Sequence, residues 1–177
     1  MSSLKLSPAK PFPQITLARF GGGKVVLGKS SGPDSWQLVV AYRGKHCPLC
    51  TDYLMELNQL FPELEALNVD VVAVSADPEE KATIQLTKVN PKFDVGYDLS
   101  VEQMQALGLY ISYPRSPEEH DRPFAEPGLF VINSEGAVQI VDISNAPFTR
   151  PDLKTVIMGL KFLRDPANNY PVRGTYQ

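Results

Sequence analysis

The stretch Trp36-Gln37-Leu38-Val39-Val40-Ala41-Tyr42-Arg43-Gly44-Lys45-His46-Cys47-Pro48-Leu49-Cys50 decides how this chain folds. Trp36 to Tyr42 is an almost unbroken apolar run, the pattern of a strand covered on both faces. The polar residues Arg43 to His46 end that run, and a helical pattern follows. Leu54, Leu57, Leu60, Leu64 and Leu67 recur at spacings of three and four, so one apolar stripe lies along a helix over 48–67. Pro62 should bend or break that helix. The chain's two cysteines, Cys47 and Cys50, therefore stand where a buried strand turns into a helix. A C-x-x-C spacing brings both sulfurs onto one helical turn, within reach of a disulfide, and the helix N-terminus favours the thiolate.

Upstream, Ile15 to Phe20 and Lys24 to Leu27 flank Gly21-Gly22-Gly23 and read as an N-terminal β-hairpin extension. Downstream, Val69 to Ser75 reads as a second buried strand. Asp77-Pro78-Glu79-Glu80 reads as an N-cap, a proline at N1 and acids in the first turn of a helix that continues through Lys81 to Val89. Phe93 to Tyr97 makes a short strand, Ser100 starts a helix, and Gly108 sits where a C-cap glycine belongs. Leu129 to Ile132 and Val138 to Ile143 form a hairpin around Asn133-Ser134-Glu135-Gly136. Thr149 to Asp152 caps a final helix to about Arg164, with Leu153, Val156, Ile157, Leu160 and Leu163 on its apolar face. The order predicts an α/β fold: a mixed central sheet flanked by helices, in one domain over 1–177 that ends in an irregular tail, 165–177.

The 177 residues carry 17 basic and 20 acidic side chains, a formal charge of −3, scattered along the chain. That leaves no basic face for nucleic acid or anionic lipid. Two cysteines are too few for a disulfide scaffold, so a reactive role is expected. The start, Met1 to Pro8, lacks the apolar stretch of a secretory signal, and no run approaches the ~20 residues that span a bilayer. A cytoplasmic setting without membrane association is the resulting expectation. Gly21-Gly22-Gly23 lacks a following helix and is no phosphate loop.

The segment Tyr42 to Cys50, Ser75-Ala76-Asp77 after the second strand and Pro127 to Asn133 at the hairpin together resemble the thioredoxin-like superfamily. Within it, Tyr42-Arg43-Gly44-Lys45-His46-Cys47-Pro48-Leu49-Cys50 is similar to the YRGxWCPxC signature of the peroxiredoxin-like AhpC/TSA branch, with His46 in place of the usual tryptophan. The resemblance spans roughly Pro11 to Leu163. It implies a thioredoxin fold and an oxidoreductase acting on disulfides or peroxides, with no cofactor beyond a redox-active disulfide. It departs from true peroxiredoxins in three places. Aligning Cys50 with their peroxidatic cysteine puts Cys47 where a threonine or serine belongs, Arg43 where a proline belongs, and Pro127 in the place of an arginine. Pro127, preceded by Glu126, suits instead the cis-proline that lies against the C-x-x-C in other members of the superfamily.

Cys47 and Cys50 are thus the catalytic candidates. In a dithiol mechanism Cys47, at the exposed edge of the turn, attacks a substrate disulfide and Cys50 resolves the mixed disulfide. In a peroxidase Cys50 would be peroxidatic and Cys47 resolving, and a non-enzymatic redox-sensing adaptor is a third reading. Pro48 preorganises the first turn. His46, if protonated, would stabilise a neighbouring thiolate, with Arg43 and Lys45 adding positive charge. Tyr42 reads as core that also borders the site, His120 as part of a solvated loop, Asp77 as a helix cap and Arg150 as a helix-start residue. In some relatives a residue after the hairpin approaches the thiols, and Arg115 or Arg122 would replace the missing arginine if their loop folded over them. Zinc on both cysteines with His46 or His120 would strain the adjacent His46 and Cys47, so no metal is expected. Partners would be a protein or small-molecule thiol or disulfide, or a hydroperoxide, and the chain would form a homodimer. Reductase and oxidase directions both stay open.

Overall fold

Tyr42 directly follows β3 (Trp36–Ala41), a strand whose six residues are all buried because both faces of the sheet are covered. Leu38, Val40 and Tyr42 face one apolar layer, whereas Val39 and Ala41 face the other, as the two-residue period of a strand requires. The computed structural model describes residues 4–176; residues 1–3 of the expected signal-free start, and residue 177 of the tail, lie outside the described residues.

Seven strands form one mixed sheet. β4 (Val69–Val74) and β5 (Asp94–Tyr97) run parallel to β3 and to each other. β8 (Gly128–Ile132) and β9 (Val138–Ile143) continue the sheet antiparallel on the other side of β3, with a bulge at Val131/Ile132. The N-terminal hairpin of β1 (Ile15–Arg19) and β2 (Lys24–Leu27) is present. It is the other edge of the same sheet, however, because Ala18 and Arg19 pair antiparallel with Tyr97 and Gly96 of β5. A small second sheet, absent from the sequence reading, pairs β6 (Ile111–Ser112) with β7 (Phe124–Ala125). Each has two residues, too few to show a period.

Three helices cover one face. α1 (Pro48–Ala66) buries Leu54, Leu57 and Leu64, α2 (Glu79–Val89) buries Ala82 and Leu86, and α4 (Leu153–Arg164) buries Leu153, Ile157 and Leu160. Each leucine so buried stabilises the fold by about 1.5–3 kcal/mol relative to exposure. That driving force carries α1 through Pro62, which does not end it. The opposite layer holds Met104 from α3 (Val101–Ala106), Leu107, Leu109 and Phe124 against Val39, Val72 and Phe130.

The helix signals held at two ends and failed at one. Ser100 and Gln103 form a reciprocal capping box, and Asp152 accepts the Thr155 N–H at 2.9 Å. Asp77 does not cap α2: Pro78 occupies the N-cap, and no side chain bonds there. Its carboxylate is engaged elsewhere. Among the described residues no helix is long and apolar enough to cross a membrane.

Candidate active site

The loop between β3 and α1 is shaped by one buried carboxylate. Asp77, three residues beyond β4, accepts the Lys45 N–H at 2.8 Å and lies 2.9 Å, through Oδ1, from His120 Nε2. Gly44 passes so close, at φ +130°, that a Cβ there would meet Asp77 Oδ1 at 2.5 Å. The Gly44 carbonyl accepts Gln85 Nε2 of α2 at 3.3 Å, and the same amide reaches Thr51 Oγ1 at 2.9 Å. α1, α2 and the segment after β4 therefore all hold the turn that delivers Cys47.

Cys47 is the N-cap of α1. Its backbone is extended, and its sulfur accepts the Cys50 N–H at 3.3 Å, the place that serine or aspartate usually fills. Contrary to the expectation of an exposed edge, Cys47 is only 2% accessible and Cys50 0%, while the adjoining Leu49 is 44% exposed. The strand that delivers the turn is buried on both sides, so the first helical turn starts beneath the surface. Both cysteines are free thiols.

A cation meets both sulfurs. Arg150, in the segment between β9 and α4, places Nη2 3.0 Å from Cys50 Sγ and 3.9 Å from Cys47 Sγ. Its Nε donates to the Pro147 carbonyl at 3.1 Å, and its guanidinium stacks 5.2 Å from the Tyr53 ring, whose hydroxyl is tied to the Pro151 carbonyl at 2.7 Å. The Cys47 thiol is drawn down to about 6, first by the hydrogen bond from the Cys50 thiol, then by the Cys50 N–H, a hydrogen bond from Arg43 and the charge of Arg150, against the opposing effect of burial. Burial pushes the Cys50 thiol far up, and its hydrogen bond to Cys47 pushes it further. One sulfur is thus held as a thiolate beside one held as a thiol.

Arg43 Nε lies 3.1 Å from Glu126 Oε2, and Ser112 Oγ donates to Glu126 Oε1 at 2.7 Å, so Glu126 positions Arg43 from inside the protein. The Glu126–Pro127 bond is trans, as are all peptide bonds among the described residues. This corrects the cis-proline that the resemblance implied: the chain runs from β7 into β8 without reversing. Pro127 lines a small cavity with Tyr53, Thr149 and Arg150. Tyr42 is core, its hydroxyl unpartnered, and burial raises its phenol far above the usual value.

His46 is not a charge donor. Its ring packs 4.6 Å from Phe124 and 5.3 Å from His120, and burial, then the Arg43 charge, pull it down to about 4, so it is neutral near pH 7. Pro48 is exposed at the first helical position. His120, expected in a solvated loop, is instead 1% accessible, fixed by Asp77 on one nitrogen and by the Arg122 N–H on the other at 3.2 Å. Arg115 pairs with Glu119, and Arg122 with Asp98 and Asp121, so neither reaches the thiols. The arginine that reaches them is Arg150, and only its place after the hairpin hinted at it.

The sequence model described as AhpC/TSA family matches residues 8–141. No curated protein sequence matches the chain. Solved structures with the same fold include a cysteine-to-serine mutant of peroxiredoxin 6 from Arenicola marina, with TM-score 0.78 and 15% identity, covering 92% of this chain and 75% of that one. A peroxiredoxin-like protein from Aquifex aeolicus aligns with TM-score 0.75 and 19% identity over 90% of this chain and 89% of its own. AhpC of Mycobacterium bovis gives TM-score 0.75 and 16% identity over 98% and 99%.

Proposed function

Since the chain belongs to the AhpC/TSA family and is an oxidoreductase acting on peroxides or thiols, we propose that it works by cycling Cys47 and Cys50 between dithiol and disulfide, with Cys47 as the attacking sulfur. The observation that carries this reading is the N-cap geometry: Cys47 Sγ accepts the Cys50 N–H at 3.3 Å, at the positive end of α1. The Cys47 thiolate attacks one sulfur of a substrate disulfide and expels the other as a thiolate. Cys50 then gives up its proton and attacks the Cys47 sulfur, releasing the second substrate thiol and leaving the Cys47–Cys50 disulfide. Two electrons have passed to the substrate, and an external thiol restores the dithiol. No cofactor is required by this scheme, and paired free thiols suit a reducing, cytoplasmic setting. Because both sulfurs are buried, the reading favours substrates small enough to slip between Arg150 and the first turn of α1.

A second reading has its own support, since the Arg150 cation is nearer to Cys50 than to Cys47. In it Cys50 first passes its proton to the Cys47 thiolate, the resulting Cys50 thiolate attacks a hydroperoxide oxygen, the alkoxide leaves and takes a proton from solvent, and the Cys50 sulfenic acid condenses with the Cys47 thiol to release water. The two readings part on single variants. Cys50→Ser should trap a mixed disulfide on Cys47 with a small disulfide substrate. Retention of single-turnover peroxide reactivity in Cys47→Ser, with its loss in Cys50→Ser, would replace the first reading by the second.

A further inference from the structure

His46, Asp77 and His120 come from three segments that frame the thiol end of the sheet, and their ligating atoms all lie within 4.8 Å of one another. Neither cysteine is among them. The His46 ring has both nitrogens shielded from solvent and without a hydrogen-bond partner. A buried polar group left in this way calls for a missing partner, water or ion. We propose that these three side chains bind one divalent ion of the zinc class, through a His46 nitrogen, His120 Nε2 and Asp77 Oδ1.

The donor set selects the ion. Two imidazoles and one carboxylate suit Zn2+ and its first-row neighbours, not Mg2+ or Ca2+, which take oxygen ligands. Three protein ligands leave the fourth tetrahedral position for solvent. Metal–ligand bonds of about 2.0–2.2 Å put tetrahedral ligand atoms about 3.3–3.6 Å apart, so closure from at most 4.8 Å requires the His46 ring to shift by up to about 1.5 Å. Asp77 Oδ1 and His120 Nε2 already stand 2.9 Å apart and need only separate slightly.

The proton has somewhere to go. The Arg122 N–H donates to His120 Nδ1, so Nδ1 carries the lone pair and Nε2 carries the hydrogen that faces Asp77. To ligate through Nε2, His120 must move that hydrogen to Nδ1. Asp121 Oδ1 lies 3.2 Å from Nδ1 and accepts it there once the Arg122 N–H, which donates to Nδ1 in the metal-free protein, turns aside; this makes the carboxylate–histidine–metal relay common around zinc. The second oxygen of Asp77 stays held by the Lys45 N–H at 2.8 Å. Phe124, 4.6 Å from the His46 ring and 5.4 Å from the His120 ring, supplies an apolar wall. One bound ion would thus tie the Gly44–His46 turn, the segment after β4 and the 113–122 loop together.

The test uses tag-free full-length Cys47→Ser/Cys50→Ser protein, stripped with a chelator and titrated with Zn2+ against a chromogenic competitor. One equivalent should bind, and thermal unfolding should rise by about 5–10 °C at a hundredfold excess over Kd. The Co2+ form of the protein with both cysteines intact should show visible ligand-field bands without sulfur-to-cobalt charge transfer. Adding His46→Ala, at a partly exposed position that leaves the Asp77–His120 contact in place, should weaken binding at least tenfold while metal-free unfolding stays near that of the parent. Binding that disappears with the cysteines, binding that survives His46→Ala undiminished, or no binding at all would each overturn the proposal. None of these results depends on whether the thiols turn over substrate.

Discussion

Arg150 and Cys50 are joined by a 3.0 Å contact from Nη2 to Sγ, and the same nitrogen stands 3.9 Å from Cys47 Sγ. One guanidinium therefore faces both sulfurs of the proposed disulfide. Losing a single donor that stabilises developing charge costs about 10²–10³ in rate at well-studied sites. Arg43 stays beside Cys47, so Arg150→Gln should slow oxidation of the thiols by about tenfold to a hundredfold. Quenched-flow thiol counting gives the rate constant, and an unchanged rate in a folded variant would remove Arg150 from the site.

The pH dependence of alkylation reports on Cys47. Its thiol is drawn to about 6, so below that pH it is protonated and unreactive, and above it the thiolate dominates. In chelator-treated reduced protein, labelling of Cys47 by a small haloacetamide should rise from pH 5, pass its midpoint near 6 and level off by about 7.5. A free cysteine would keep rising through about 8.5. Arg150→Gln should move the midpoint upward, since it removes a positive charge from beside the thiolate. Peptide mapping assigns the label, and a midpoint near 8.5 in the parent contradicts the thiolate geometry.

Gly44 separates backbone strain from steric conflict. Gly44→Ala places a Cβ 2.5 Å from Asp77 Oδ1 at φ +130°, whereas Gly136→Ala, at φ +76°, meets nothing within 4 Å. The first should lose about 2–4 kcal/mol and the second about 1 kcal/mol in denaturant unfolding. Equal losses would show that the Asp77 clamp does not constrain the loop.

Tyr42→Phe runs the other way. The Tyr42 hydroxyl is buried without a partner, so its removal should leave stability within about 1 kcal/mol of the parent or raise it. Both thiols should react as before. A loss above about 2 kcal/mol in chemical denaturation would mean that the hydroxyl has a partner in solution.

The main frame of this molecule was legible because its signals are local. The Leu54, Leu57 and Leu64 stripe, the Ser100–Gln103 box and the Asp152 cap each lie within a few turns of chain, and Trp36 to Tyr42 announces a doubly covered strand by composition alone. The site needed contacts that sequence spacing does not encode. Arg150 meets Cys50 across 100 residues, and His120 meets Asp77 across 43. Asp77 stands before Pro78 as a capping residue would, yet the pull of the Lys45 N–H and His120 turns its carboxylate inward. His46 looked cationic because it adjoins Cys47, whereas packing on Phe124 leaves it neutral. Glu126 and Pro127, named from the resemblance, stand beside Arg43 and Arg150 respectively, but the bond between them is trans where the resemblance implied cis.

The most direct test of the account exposes the fully reduced protein to one equivalent of a small disulfide or hydroperoxide and maps its sulfur chemistry by mass spectrometry. The account predicts that both thiols disappear together, that Cys47 and Cys50 become joined within a single chain, and that thiol reductant restores them. Thiols that persist after the substrate has been consumed, or a stable oxidised cysteine whose neighbour stays free, would contradict it.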